Sequence, residues 1–203
     1  MPLEKDIFWD WTLALDMAAA ANKTYTWGSF DCIVWALDVT HDCTYTDIPQ
    51  GDGKVDLAAN IRGTYADAAG AAARVAALTG GGGLIEFLHS LWSTYTMKRV
   101  PLTWTQRANL VVVNAPDPQF SIGGKALGVV EVRGEQVVIP GAVGLVRVPI
   151  QNWIVALDTH HPTVDHTKCI FAPAPKNEGD PPYGSITAAD VFPGLAFNLP
   201  FTG

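Results

Sequence analysis

The sequence predicts an α+β fold in which N-terminal helices pack on a small antiparallel sheet, followed by an extended arm. Three observations carry this. Up to about residue 95, apolar residues recur at helical spacing; from Arg99 onward, short runs rich in Val and Ile alternate with Gly and Pro; beyond Leu157, periodicity is lost. Helices first and strands afterwards is the layout in which helices gather on an antiparallel sheet. The expected organisation is therefore a domain over residues 1–157 and a Pro-rich arm over 158–203.

Taken in order, residues 3–21 read as an amphipathic helix with Ile7, Trp11, Leu15 and Ala18 or Ala19 on one face. "NKTYTWGSFD" is a loop, and residues 32–40 form a second, largely buried helix. "THDCTYTDIPQGDGKVD" is polar and rich in turn formers. "LAANIRG" reads as a helix broken at Arg62-Gly63, followed by an Ala-rich helix closed by Gly80–Gly83; "LIEFLHSLWSTY" is a further short helix. Strands follow in "KRVPLTWTQRANLVVVNA" and "ALGVVEVRGEQVVIPGAVGLVRVPIQNWIVAL", with a hairpin around Arg133-Gly134-Glu135. The last stretch places Phe192, Leu195, Phe197, Leu199 and Phe201 between Pro and Gly residues, a pattern that reads as an assembly arm with hydrophobic anchors.

Composition narrows the function. A chain of 203 residues with 48% hydrophobic content can bury a proper core. Its net charge of −7 and the lack of any Lys/Arg cluster argue against nucleic acid as a ligand. The acidic opening "MPLEKD" does not read as a signal peptide, and no run has the roughly 18 apolar residues of a membrane span. Synthesis in a cytoplasm is expected. Cys32, Cys43 and Cys169 make no even disulfide framework.

The sharpest chemical feature is "YTWGSFDCIVWALDV", which puts Cys32 at the head of a helix. A helix N-terminus favours a thiolate, so a cysteine there can be a nucleophile, provided an imidazole takes its proton. Asp31 stands where it can cap that helix, and Trp27 with Asp31 could line a peptide-sized cleft.

The order of parts resembles the NlpC-type papain-like peptidases that cut cell-wall peptides, and within them a compact phage branch encoded among tail genes. The matching pieces are Trp27-Gly28, Asp31-Cys32, Arg62-Gly63-Thr64-Tyr65, Gly80 to Gly83, Ala126-Leu127-Gly128-Val129, Gly144-Leu145-Val146-Arg147-Val148-Pro149 and Trp153. The resemblance implies a papain-like fold and a place in a phage tail. It also implies a general-base histidine opening the first sheet strand, and there this chain has Ala126; the family's "GD" before an earlier strand is Ala108-Asn109. An alanine can neither take the thiol proton nor return it to a leaving amine.

Other histidines are weaker candidates. His89 lies on an apolar helical segment, His41 follows the Cys32 helix beside Cys43, and His160, His161 and His166 lie beyond the sheet, where one could swing over the thiol. Asp158, His160, His161, Asp165, His166 and Cys169 are metal-ligand types, but their spacing fits no zinc pattern. No metal and no cofactor is expected.

The favoured expectation is thus a virion protein: a structural part of a phage tail tip, near the hub or baseplate. Its partners would be other tail subunits, with peptidoglycan contact implied by the resemblance. The rival is an active cysteine peptidase or amidase with Cys32 as nucleophile. A third reading is a binding domain that keeps a cleft around Cys32 and Trp27.

Overall fold

The computed structural model describes residues 4–6, 8–45, 54–95 and 97–158. The anticipated arm lies outside them, as do its five apolar anchors. The architecture is α+β. Four helices, α1 (Trp9–Ala20), α2 (Cys32–Cys43), α3 (Ala68–Thr79) and α4 (Leu84–Tyr95), precede a six-stranded antiparallel sheet. Its strands are β3 (Lys98–Val100), β4 (Leu110–Asn114), β5 (Lys125–Val130), β6 (Val137–Pro140), β7 (Leu145–Val148) and β8 (Trp153–Asp158), in the spatial order β3-β8-β4-β5-β6-β7. Two short strands, β1 (Glu4–Lys5) and β2 (Thr44–Tyr45), pair separately.

The core follows from burial. Leu110–Val113 of β4 and Ala126–Val130 of β5 are buried residue after residue, not alternately, so the middle of the sheet is covered on both faces. Helix α2 packs against β5 and β6, and α4 against β4, β5 and β8. Helix boundaries have local causes. The Asp31 carboxylate caps α2, the Asp67 carboxylate accepts from the Gly70 amide at 2.7 Å to start α3, and Gly80 ends α3 in the left-handed region at φ 69°. The expected hairpin joins β5 to β6, with Val129 opposite Val138 and Gly134 at φ 78° in its turn.

Three expectations are corrected. The first helix begins at Trp9, since Glu4 and Lys5 pair with Tyr45 and Thr44 instead. Ile7 lies outside the described residues, and the rest of the predicted stripe faces outward: Trp11, Leu15, Ala18 and Ala19 are exposed, while Leu13 and Ala20 enter the core. "LAANIRG" makes only a single turn, with Arg62 N–H donating to the Ala58 carbonyl at 2.8 Å, because Gly63 then leaves to bond elsewhere.

The first and last parts of this region are tied together. The buried Lys5 Nζ donates to the Arg107 carbonyl at 3.0 Å, lies 3.6 Å from Asp158 Oδ1, and sits over the Trp9 ring at 4.5 Å. Burial lowers the Lys5 pKa, and the Asp158 carboxylate opposes that shift.

Among the described residues, no single helix is long and apolar enough to cross a membrane.

Candidate functional site

The motifs around Cys32 converge in one corner. Asp31 is fully buried, and both of its oxygens are used: Oδ1 accepts from the Ile33 and Val34 amides at 2.9 and 3.0 Å, and Oδ2 accepts from the Gly28 amide at 2.7 Å. The sequence predicts the cap but not the third bond, which folds the "WGSF" loop over the helix start. Gly63 N–H donates to the Gly28 carbonyl at 2.8 Å, joining "RGTY" to "WG". Gly28 has φ 77°, and a Cβ there would lie 2.4 Å from the Tyr65 carbonyl oxygen. The glycine is therefore required twice, by backbone conformation and by close approach.

Cys32 sits inside this corner at 0% exposure. Burial first, and the neighbouring Asp31 charge second, push its pKa up to about 12, against smaller opposing effects from the Leu127 backbone amide and the Tyr25 phenol. Here desolvation outweighs the helix N-terminus. Strand β5 passes the thiol with Ala126, also at 0% exposure, next to Leu127. At that point the strand presents the buried methyl group of Ala126.

Two tyrosines complete the site. Burial raises both the Tyr25 and Tyr65 phenols well above their ordinary pKa, and the neighbouring Cys32 and Asp31 add to the shift. Neither hydroxyl meets hydrogen-bond geometry with a protein atom. Trp27, half-buried, packs edge-on against Tyr25 at 5.0 Å and Tyr65 at 6.2 Å, and Tyr25 also meets Phe120 at 4.8 Å. Sequence reasoning missed the tyrosines as site residues, although each stands in a quoted motif: "YTWG" and "RGTY".

Neither of the two described candidate bases, His41 and His89, is gathered here. His41 lies in the last turn of α2, nine residues or about 13.5 Å along the helix axis from Cys32. Its Nδ1 donates to the Val55 carbonyl at 2.9 Å. His89 is half-buried on α4. Among the described residues, no imidazole is one of the groups that shift the Cys32 pKa. His160, His161 and His166 lie outside the described residues, as do Asp165 and Cys169. Asp158 accepts from Asn109 Nδ2 and pairs with Lys5, which gives it a structural role. Among the described residues, no group of three or more His, Cys, Asp or Glu side chains could hold a metal ion.

Cys43, the other described thiol, donates to the Trp9 carbonyl at 3.4 Å, and burial pushes its pKa up to about 12 as well. Both thiols are buried in the core, and burial is the first cause of both shifts.

Residues 5–158 match a protein family described as a domain of unknown function (DUF6950). The chain belongs to that family. Lys5 and Asp158, the pair that ties the domain's ends, are the first and last residues of the DUF6950 match. No curated protein and no solved structure matches the chain.

Proposed function

We propose that this DUF6950 chain is a non-catalytic structural component of a phage or phage-like tail tip, in the hub or baseplate region, built on a degenerate NlpC-type papain-like fold. One observation supports the non-catalytic half above all: Cys32 is fully buried with its pKa pushed up to about 12, and β5 brings Ala126 rather than an imidazole past it. At neutral pH, such a thiol stays protonated. A peptidase nucleophile needs a thiolate, a base within reach and room for a peptide carbonyl.

The placement in a tail rests on the sequence resemblance to the phage NlpC branch. In this reading, other tail subunits are the partners, through the segment from residue 158 onward. The α+β order, with a capped cysteine at a helix start ahead of an antiparallel sheet, is compatible with a papain-like ancestry. The competing reading, a peptidase or amidase cutting cell-wall peptides, requires one of His160, His161 or His166 to reach Cys32 and the corner to open.

Alkylation separates the two. Native protein is treated with iodoacetamide from about pH 5 to pH 9 and labelling of Cys32 is mapped by mass spectrometry. The structural reading expects labelling only after unfolding, with Cys32→Ser particles still infectious. Rapid native labelling near pH 6, or Cys32→Ser particles that assemble but no longer cleave peptidoglycan, would establish the enzyme instead.

A further inference from the structure

An acid stands in the middle of the face on which α1 docks. Leu13, Asp16, Met17 and Ala20 share one stripe at helical spacing; Leu13 and Ala20 are buried, and Met17 packs against the core. Helix α2 is the principal packing partner of α1. It turns a matching stripe, Trp35, Asp38, Val39 and Asp42, to the same seam, where a cavity remains between Asp16, Asp38, Asp42 and Lys23. Packed helices ordinarily close such a gap with apolar groups. Here three carboxylates converge on it.

The charged groups around the seam are engaged with one another more than with Asp16. Arg62 holds Asp38 and also reaches Asp56 at 2.9 Å. Lys54 donates to the Asp42 carbonyl at 2.8 Å and lies 3.6 Å from Asp6 Oδ2. Lys23 sits over the Phe30 ring at 5.4 Å, and His41 Nε2 lies 3.8 Å from Asp42 Oδ1. Across the same seam, the Cys43 thiol donates to the Trp9 carbonyl at 3.4 Å. Asp16 Oδ2 is buried and meets no hydrogen-bond partner among the described residues. A carboxyl group so placed favours its neutral form: burial first, then Asp42 and Asp38, push its pKa up to about 7, against Lys23 and Lys54. In an opened seam, the same group meets water and returns to the ordinary carboxylate range.

Helix α1 is also lightly anchored. Only Leu13 and Ala20 of its twelve residues are buried, whereas β4 and β5 are buried almost residue after residue. Local opening is cheapest where burial is least.

We propose that the α1–α2 seam is a pH-sensitive latch: α1 is held while Asp16 keeps its proton, and loss of that proton loosens α1 from α2 while the sheet stays folded. This does not depend on the tail assignment. The closed seam binds the proton more tightly than the open one, so opening grows between about pH 4 and 7 and levels off above.

Hydrogen exchange of the full chain, read by mass spectrometry and corrected for the intrinsic pH dependence of amide exchange, reports the opening. Between about pH 5 and pH 8, protection of α1 should fall about tenfold, the half-buried position of Asp16 limiting the effect. At both pH values, α1 should be protected at least about tenfold less than β4 and β5, the mark of an opening that leaves the sheet folded. Asp16→Asn should flatten the pH dependence. Asp42→Asn, which keeps Asp16 and removes one facing charge, should shrink it, and His41→Gln should leave it in place. The proposal is overturned by α1 protection that does not change with pH, or by α1 and the sheet exchanging with equal protection. It is overturned equally by a dependence that survives Asp16→Asn, or by one that His41→Gln abolishes.

Discussion

The two ends of α2 treat acidic side chains in opposite ways. At the N-terminal end, Asp31 is sealed from water, and three backbone amides meet its two oxygens. At the C-terminal end, Asp38 and Asp42 of α2 line a cavity of about 170 Å³ together with Asp16 of α1 and Lys23. Arg62 holds Asp38 and reaches Asp56 at 2.9 Å. Asp16 Oδ2 is buried with no hydrogen-bond partner. Its pKa is pushed up to about 7, by burial first and then by Asp42 and Asp38, against Lys23 and Lys54. Burial also raises Asp38, with Arg62 opposing. The contrast is instructive: fixed amide dipoles anchor a carboxylate locally, whereas facing carboxylates leave the outcome to protons.

Removing the anchored acid should have the largest effect. Asp31→Ala strips the α2 cap and leaves three amides without their acceptor, which should cost about 3 kcal/mol in urea unfolding, with little change in slope. A loss below about 1 kcal/mol would mean that the corner is not what organises the helix start.

The acidic end should respond to pH instead. Because folding raises the Asp16 pKa from 3.8 to about 7, the folded chain holds this proton more tightly than the unfolded one. Its contribution is fully present below about pH 4, falls away between about pH 4 and 7, and is absent above. Asp16 is only half-buried, so solvent screening trims the effect to about 1–2 kcal/mol. Asp16→Asn should therefore raise stability at pH 8 by about that amount and leave it nearly unchanged at pH 4. Thermal melts at the two pH values check this, and an equal gain at both would break the contrast.

The smallest effect should come from Tyr65. Its buried hydroxyl meets no protein atom in hydrogen-bond geometry and has only the Asp31 carboxylate as a polar neighbour, so Tyr65→Phe should change stability by no more than about 1 kcal/mol. A loss of more than that in chemical denaturation would reveal a bound water as the missing partner.

What the sequence disclosed was mostly local. The Asp31 cap, the Gly80 stop, the Val-rich strands and the Arg133–Glu135 hairpin each depend on near neighbours and were readable there. The outward turn of α1 was not. With apolar residues on both sides of the helix, periodicity finds a stripe around Leu15 and another around Leu13, and only packing decides which is buried. The same limit applied at the site. Cys32 and Ala126 could be named from motif order, but the depth of the thiol and the two phenols beside it depend on contacts between residues 25, 32, 65 and 127. The pairing of Glu4-Lys5 with Thr44-Tyr45 was hidden for a similar reason, since two-residue strands carry no period.

The Lys5–Asp158 contact has a consequence for engineering. A domain whose first and last family-matched residues touch side chain to side chain has its ends within the reach of those two side chains, on the order of 10 Å, so a Gly-Ser bridge of a few residues could join them. New termini could then be opened at Gly80–Gly81, where the turn between α3 and α4 is exposed and a Cβ would meet nothing. Bridged from Asp158 to Glu4, such a circular permutant would keep the described helices and strands, and it would detach the domain from the segment that follows residue 158. It could equally be spliced into a loop of an unrelated carrier as a self-closing cassette.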